Sequence, residues 1–194
     1  MALLTESEVR AAARQTHHRL HESYNQVLAK AAQTTEDHFD IFLSHSINDA
    51  EIVRGAHILL GNLGYSVYVD WIVDQDLNRE EVSRGTAIQL KKRMRQCDSL
   101  LYLSTENATR SKWMPWELGF FDGYSKGRVA ILPVTKDQKE EYKGQEYLGI
   151  YPYAEIELIR NTQRRALWVS RSTDRYGSFE NWLEKGSKAI IKRF

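Results

Sequence analysis

The chain has 194 residues, which suits one substantial core and one domain with appendages rather than two domains. Lys and Arg number 27 against 26 Asp and Glu, a net charge of +1, so no global field draws a polyanion and nucleic-acid binding is disfavoured. The single cysteine, Cys97, excludes an internal disulfide and fits a reducing compartment. Met1 to Glu8 lacks a basic leader region and nowhere do about 18 apolar residues run together, so a soluble, cytoplasmic protein without a membrane partner is expected.

Thr5-Glu6-Ser7-Glu8 has the form of a capping box. Val9, Ala12, Ala13, Thr16, Leu20, Tyr24, Val27, Leu28 and Ala31 follow at helical spacing, predicting a helix that ends near Gln33. Residues 1–36 thus form an N-terminal helical extension that packs on its own domain or on a second subunit. His17 and His21 lie one turn apart on it. No further ligand cluster accompanies them, so no metal site is expected.

From Phe39, short apolar runs alternate with amphipathic helices. Phe39–Ser44 reads as a strand, and Ser46 or Asn48 caps a helix carrying Ile52, Val53, Ala56, Leu59, Leu60 and Leu63, which Gly64 ends. Ser66–Asp70 is a second strand. A polar loop from Trp71 to Arg79 leads to a helix from about Glu80 to Gln96, whose Lys91-Lys92-Arg93-Met94-Arg95 run complements the dipole at its C-terminal end. Asp98–Ser104 is the third strand, a tryptophan-rich helix closes near Gly123, and Val129–Val134 is the fourth.

Farther on, Lys136–Gln145 is loop-like, and Tyr147–Tyr151 with Glu155–Ile159 supplies a fifth strand. Ala166–Val169 is strand-like, and Ser178 caps a final helix bearing Phe179, Trp182, Leu183, Ala189 and Ile190. Strands separated by helices, without alternation along the strands, indicate an α/β fold: a flavodoxin-like, doubly wound parallel sheet of about five strands, covered on both faces. That domain occupies residues 37–194, including a C-terminal strand and helix.

In such a sheet, ligands bind at the carboxyl ends of the strands where the strand order reverses. The first strand brings Ser44, His45 and Ser46 there, and the third brings Ser104, Thr105 and Glu106. The second loop adds Asp70, Trp71 and Asp74. Trp113 and Glu117, four residues apart, share a helix face one turn from each other, and Pro115 places the helix start near Ser111 or Trp113. A flat ring can stack on a planar base and an anion can hold a sugar cation, which are the two requirements of glycosidic cleavage of a nucleotide. The plainer alternative is that the tryptophans are core and Glu117 a solvated helix residue.

Phe39-Asp40-Ile41-Phe42-Leu43-Ser44-His45 resembles the first box of Toll/interleukin-1 receptor (TIR) domains, and Ser111-Lys112-Trp113 through Glu117 resembles their tryptophan-to-glutamate motif. Val69-Asp70-Trp71, Glu117–Gly123 and Tyr147–Tyr153 look most like short bacterial TIR proteins, including those of the Thoeris anti-phage system. The resemblance implies an enzyme that cleaves the nicotinamide–ribose bond of NAD, its substrate, with no cofactor. It would release nicotinamide and leave ADP-ribose or a cyclic isomer used as an immune signal by a separate effector. It also implies that Glu117 is catalytic and Trp113 its aromatic neighbour. By location, Ser44, His45, Ser46, Asp70, Trp71 and Ser111 join the substrate-binding set, and assembly into homo-oligomers through TIR surfaces is expected.

Two other readings remain open, and two are disfavoured. A TIR adaptor that acts only by TIR–TIR assembly needs the same fold and no working Glu117. A nucleoside deoxyribosyltransferase-like enzyme would exchange bases rather than turn over NAD. A phosphoacceptor receiver wants an aspartate where this chain has Ser104-Thr105, and a flavin site wants a glycine beside Ser44-His45-Ser46.

Overall fold

A computed structural model describes residues 3–19, 38–74, 83–137 and 146–192, with the described side chains of the first segment ending at Arg14. The elements are β1 (Leu4–Thr5), α1 (Glu6–Arg19), β2 (Phe39–Ser44), α2 (Ala50–Asn62), β3 (Val67–Tyr68), a single turn α3 (Asp70–Val73), α4 (Arg84–Arg95) and β4 (Cys97–Ser104). They continue with α5 (Trp113–Ser125), β5 (Val129–Thr135), β6 (Tyr153–Leu158), β7 (Arg165–Ser172), β8 (Arg175–Ser178), α6 (Phe179–Lys185) and β9 (Ile191–Lys192).

The sheet runs β3-β2-β4-β5-β6-β7-β8-β9, parallel through β6 and antiparallel after it. Its first five strands reproduce the flavodoxin-like order expected from sequence, with the reversal between β2 and β4. The apolar runs in β4 explain the two layers. Leu101 and Leu103 enter a core with Ile41, Leu43 and the buried residues of α2, while Leu100 and Tyr102 enter a second core with Phe42, Met94, Met114 and Phe121. A strand buried on both faces reads as a continuous apolar run, as this one does.

The sheet is larger than the expected five strands. Among the described residues it has nine, because β7, β8 and β9 extend it and β1 pairs in parallel with the far end of β5, Leu4 opposite Val134. The capping box at the start of α1 forms as read: Thr5 N donates to Glu8 Oε2 at 3.0 Å and Glu8 N donates to Thr5 Oγ1 at 3.3 Å. Leu4, Val9 and Ala13 are buried, and Leu4 and Val9 join the same core as α2. Helix α1 approaches α2 so closely that a Cβ on Gly55 would lie 2.0 Å from the Val9 carbonyl oxygen. The helix read as far as Gln33, and the His17/His21 pair on it, fall outside the described residues and side chains.

Several boundaries shift. Strand two shrinks to Val67–Tyr68, and Asp70 begins a helical turn instead of ending a strand. Helix α4 starts at Arg84 rather than near Glu80, where the Ser83 side chain caps it by accepting from Thr86 N at 3.1 Å. Tyr147–Tyr151 is no strand: Glu146–Ile150 forms a 3-10 turn, and the fifth strand is Tyr153–Leu158. Ser178 does cap the last helix, but that helix stops at Lys185, and Gly186 at φ 59° turns the chain before Ala189 and Ile190. Among the described residues no helix is long and apolar enough to cross a membrane.

Candidate active site

The site forms at the carboxyl ends of β2 and β4. Past Ser44, the chain turns into a short 3-10 segment, Ile47–Asp49, capped by Ser46, whose hydroxyl accepts from Asn48 N at 3.4 Å. Past β4 a second 3-10 segment, Glu106–Arg110, is capped by Thr105. Asp49 ties the two together, accepting from Thr105 Oγ1 at 2.6 Å and Asn107 Nδ2 at 2.7 Å. This buried carboxylate was not singled out from sequence. Its only sequence signal is an acidic residue at a cap position after the first strand.

Helix α5 begins at Trp113, with Ser111 Oγ accepting from Met114 N at 3.3 Å and Pro115 in the first turn, where no intrahelical N–H is needed. One turn on, Glu117 points into the sheet. Ser44 Oγ donates to Glu117 Oε2 at 2.5 Å, bridging β2 and α5 across 73 residues of sequence. The Glu117 side chain is 0 % exposed. It is therefore enclosed between β2 and α5 rather than lining an open crevice. Trp113 is also buried, edge-on to Trp116 with ring centroids 5.4 Å apart.

Beside this bond lies a second buried group. His45 Nδ1 lies 2.8 Å from the Leu43 carbonyl oxygen, and its Nε2 lies 3.4 Å from Asp70 Oδ1. The same Asp70 oxygen accepts from Trp71 N at 2.7 Å. His45 and Asp70 are both about 2 % exposed, packed where the α3 turn meets the end of β2. Trp71, by contrast, is 37 % exposed on that turn.

The turn is gripped again at its far end. Arg93 donates from Nε to Asp74 Oδ2 at 2.8 Å and from Nη2 to Asp74 Oδ1 at 2.5 Å, and Tyr68 Oη donates to Asp74 Oδ2 at 2.8 Å. Burial alone would push the Asp74 carboxyl up, but the hydrogen bonds from Arg93 and Tyr68 outweigh it and hold the group below the usual carboxylate range. Burial and the facing Asp74 push the Tyr68 phenol well up. The basic run at the end of α4 thus does more than complement the dipole, since Arg93 is spent on this bidentate pair. Cys97 is a packed thiol, pushed up by burial and donating to the Arg93 carbonyl.

Of the sequence-derived candidates, the structure joins Ser44 to Glu117 and groups His45, Asp70 and Trp71. Ser46 and Ser111 serve as caps. Among the described residues no group of three His, Cys, Asp or Glu could hold a metal ion.

No protein-family model matches the chain. It is, however, 49 % identical over 148 residues to a protein of Bacillus cereus (strain MSX-D12) named "Probable 3' cyclic ADP-D-ribose synthase ThsB'", an alignment covering 76 % of each protein. The chain belongs to the family of Thoeris-type TIR proteins. A second relative, named "Putative cyclic ADP-D-ribose synthase TIR2" in Cytobacillus dafuensis, is 36 % identical over 83 residues, 42 % of this chain and 22 % of the relative. The TIR fold accounts for the β3-β2-β4-β5-β6 order, and the site described above occupies the reversal point of that TIR sheet.

Proposed function

We propose that this TIR protein cleaves the nicotinamide–ribose bond of NAD and closes the remaining ADP-ribose into a cyclic isomer that serves as an anti-phage signal. The observation that carries the reading is the Ser44–Glu117 hydrogen bond at the strand-order reversal, in a chain 49 % identical to a named cyclic ADP-D-ribose synthase.

Chemically, the nicotinamide nitrogen is cationic before the reaction, so the C–N bond can break with its electron pair leaving on neutral nicotinamide and no general acid is required. The sugar left behind carries oxocarbenium charge. Glu117, ionised and held by Ser44, offsets that charge at close range. A nucleophile within the same ADP-ribose then bonds to the anomeric carbon and sheds one proton, giving a product one water lighter than ADP-ribose. Exclusion of bulk water favours this closure over hydrolysis. Trp113 forms part of the wall behind Glu117, and Trp71 on the α3 turn is placed to cover the nicotinamide end. His45 and Asp70 pack where that turn meets β2, Ser46 and Ser111 fix the loop and helix starts around the ribose, and NAD enters by displacing the rim over Glu117. Assembly through TIR surfaces in the cytoplasm supplies that displacement, and a separate effector reads the product.

The test is incubation of the purified chain with NAD over a range of protein concentrations. Free nicotinamide is measured by chromatography and the nucleotide product by mass spectrometry, with Glu117→Ala in parallel. Nicotinamide with a product one water below ADP-ribose supports the reading; ADP-ribose alone supports cleavage without cyclisation. The enclosure of Glu117 favours one competitor, an adaptor in which this glutamate is structural. No nicotinamide at any concentration, with self-association intact, establishes that competitor instead.

A further inference from the structure

Two loops frame the Ser44–Glu117 bond. Residues 45–49 carry the chain from β2 into α2, and residues 105–112 carry it from β4 into α5. Strands β2 and β4 are neighbours, with Ser44 opposite Tyr102, so the loops leave the sheet side by side. Each loop contains a short 3-10 segment. Asp49 N donates to Ser46 O at 3.1 Å in the first, and Ala108 N to Thr105 O at 3.2 Å in the second. Such short segments are weakly held by their own backbone bonds and depend on side chains for their course.

Asp49 supplies the cross-tie. It stands at the N-cap of α2, where an aspartate ordinarily accepts from an N–H of the first turn, yet its side chain makes no capping bond. Its two oxygens reach the second loop instead: Oδ2 accepts from Thr105 Oγ1 at 2.6 Å and Oδ1 from Asn107 Nδ2 at 2.7 Å. Thr105 Oγ1 accepts in turn from Asn107 N at 3.2 Å, which closes the ring. Asp49 is 4 % exposed and Thr105 8 %. Two donors on one carboxyl group fix orientation as well as distance. A residue that forgoes its local bonding habit for a long-range contact is expected at functional sites.

The geometry points to Asp49 as a positioning residue for Glu117: it locks the loop that follows Ser44 to the loop that leads into the glutamate's helix, and so holds the partners of the 2.5 Å bond in register. This inference rests on the role given above to Glu117. A carboxylate that offsets developing charge works only where that charge appears, and a misplacement of about 1 Å can cost about a hundredfold in rate. Ground-state binding of NAD, spread over other contacts, is affected less.

The test measures initial rates of nicotinamide release from NAD by the full chain, native and as Asp49→Ala, Asp49→Asn and Asn107→Ala. Each is also made in a Glu117→Gln background, and melting temperature and hydrogen exchange are read on the same preparations. Asp49→Ala is expected to lower kcat about tenfold to a hundredfold, with KM within about threefold of native. Asp49→Asn should recover most of that loss, because its oxygen accepts from Asn107 and its amide donates to Thr105, whose hydroxyl accepts as readily as it donates. Asn107→Ala removes one donor from a half-buried position, so it reads out the tie even where Asp49→Ala fails to fold. Its expected cost is about threefold to tenfold in kcat. In the Glu117→Gln background each change should cost less than about twofold, since no charge remains to be aimed; a purely structural role costs the same in both backgrounds. Hydrogen exchange over residues 105–117 should rise in the Ala variants. With the cleavage reading intact, the inference is overturned by folded Ala variants within about twofold of native kcat, by equal losses in the two backgrounds, or by unchanged exchange. A native chain that releases no nicotinamide overturns both readings together.

Discussion

Replacing Glu117 with glutamine removes one charge and almost no volume from a fully enclosed position bonded to Ser44. A carboxylate about 4 Å from a developing sugar cation, at an effective dielectric of about 20, contributes about 4 kcal/mol. At about 1.4 kcal/mol per decade this corresponds to roughly a thousandfold in rate, and the amide dipole of glutamine recovers part of it. The expected fall in kcat is therefore about 10²–10³, the range seen when one preorganised charge-stabilising group is lost. Because the attraction grows only as the bond breaks, KM for NAD should change little. Glutamine's carbonyl oxygen can still accept from Ser44, so the variant should fold. The assay is initial-rate nicotinamide release against NAD concentration, with circular dichroism melts on the same preparations. A folded Glu117→Gln protein that retains activity within about threefold of native would refute the electrostatic role.

Ser44→Ala strips a hydroxyl from a buried carboxylate, so both melting temperature and kcat should fall, the first reflecting about 1.5–3 kcal/mol for a hydrogen bond to a charged group. Gly55→Ala drives a methyl to within 2.0 Å of the Val9 carbonyl oxygen; overpacking of about 1–3 kcal/mol should lower the melting temperature by about 2–10 °C, measured by calorimetry. For the Asp74–Arg93 pair the folded carboxyl is depressed, so its stabilisation is complete above the unfolded value near about 4 and is lost as pH falls through the folded value. The melting-temperature gap between native protein and Arg93→Ala should therefore be constant from about pH 7 to 5 and shrink below about pH 4; a gap that stays flat to pH 3 would contradict the pairing.

The parallel half of the fold was legible because burial on both faces leaves an unbroken apolar run, as at Leu100–Leu103, and helices between such runs force right-handed crossovers. The antiparallel end was not. Arg175–Ser178 carries Arg, Tyr, Gly and Ser, a composition that reads as a turn, and it becomes a strand because Val169 and Trp168 offer it a ladder. Leu4–Thr5 is too short for any periodic signal and is a strand only because β5 has a free edge there. At the site, spacing indicated that Trp113 and Glu117 share a face, and both are buried on it. What spacing could not convey was enclosure: whether a carboxylate meets water or a serine depends on β2, 73 residues away in sequence. Asp49 and Arg93 were missed for the same reason, since their partners lie 56–58 and 19 residues off.

The parallel ladder from Leu4 to Val134 has a practical edge. Leu4 and Val9 sit in the same core as Val53, Ala56 and Leu132. A recombinant piece begun at residue 37, the domain boundary expected from sequence, would strip a zipper from β5 and bare greasy helix surface. Such a fragment should aggregate or lose activity for reasons unrelated to chemistry, and a bulky tag fused directly ahead of Leu4 invites the same artefact.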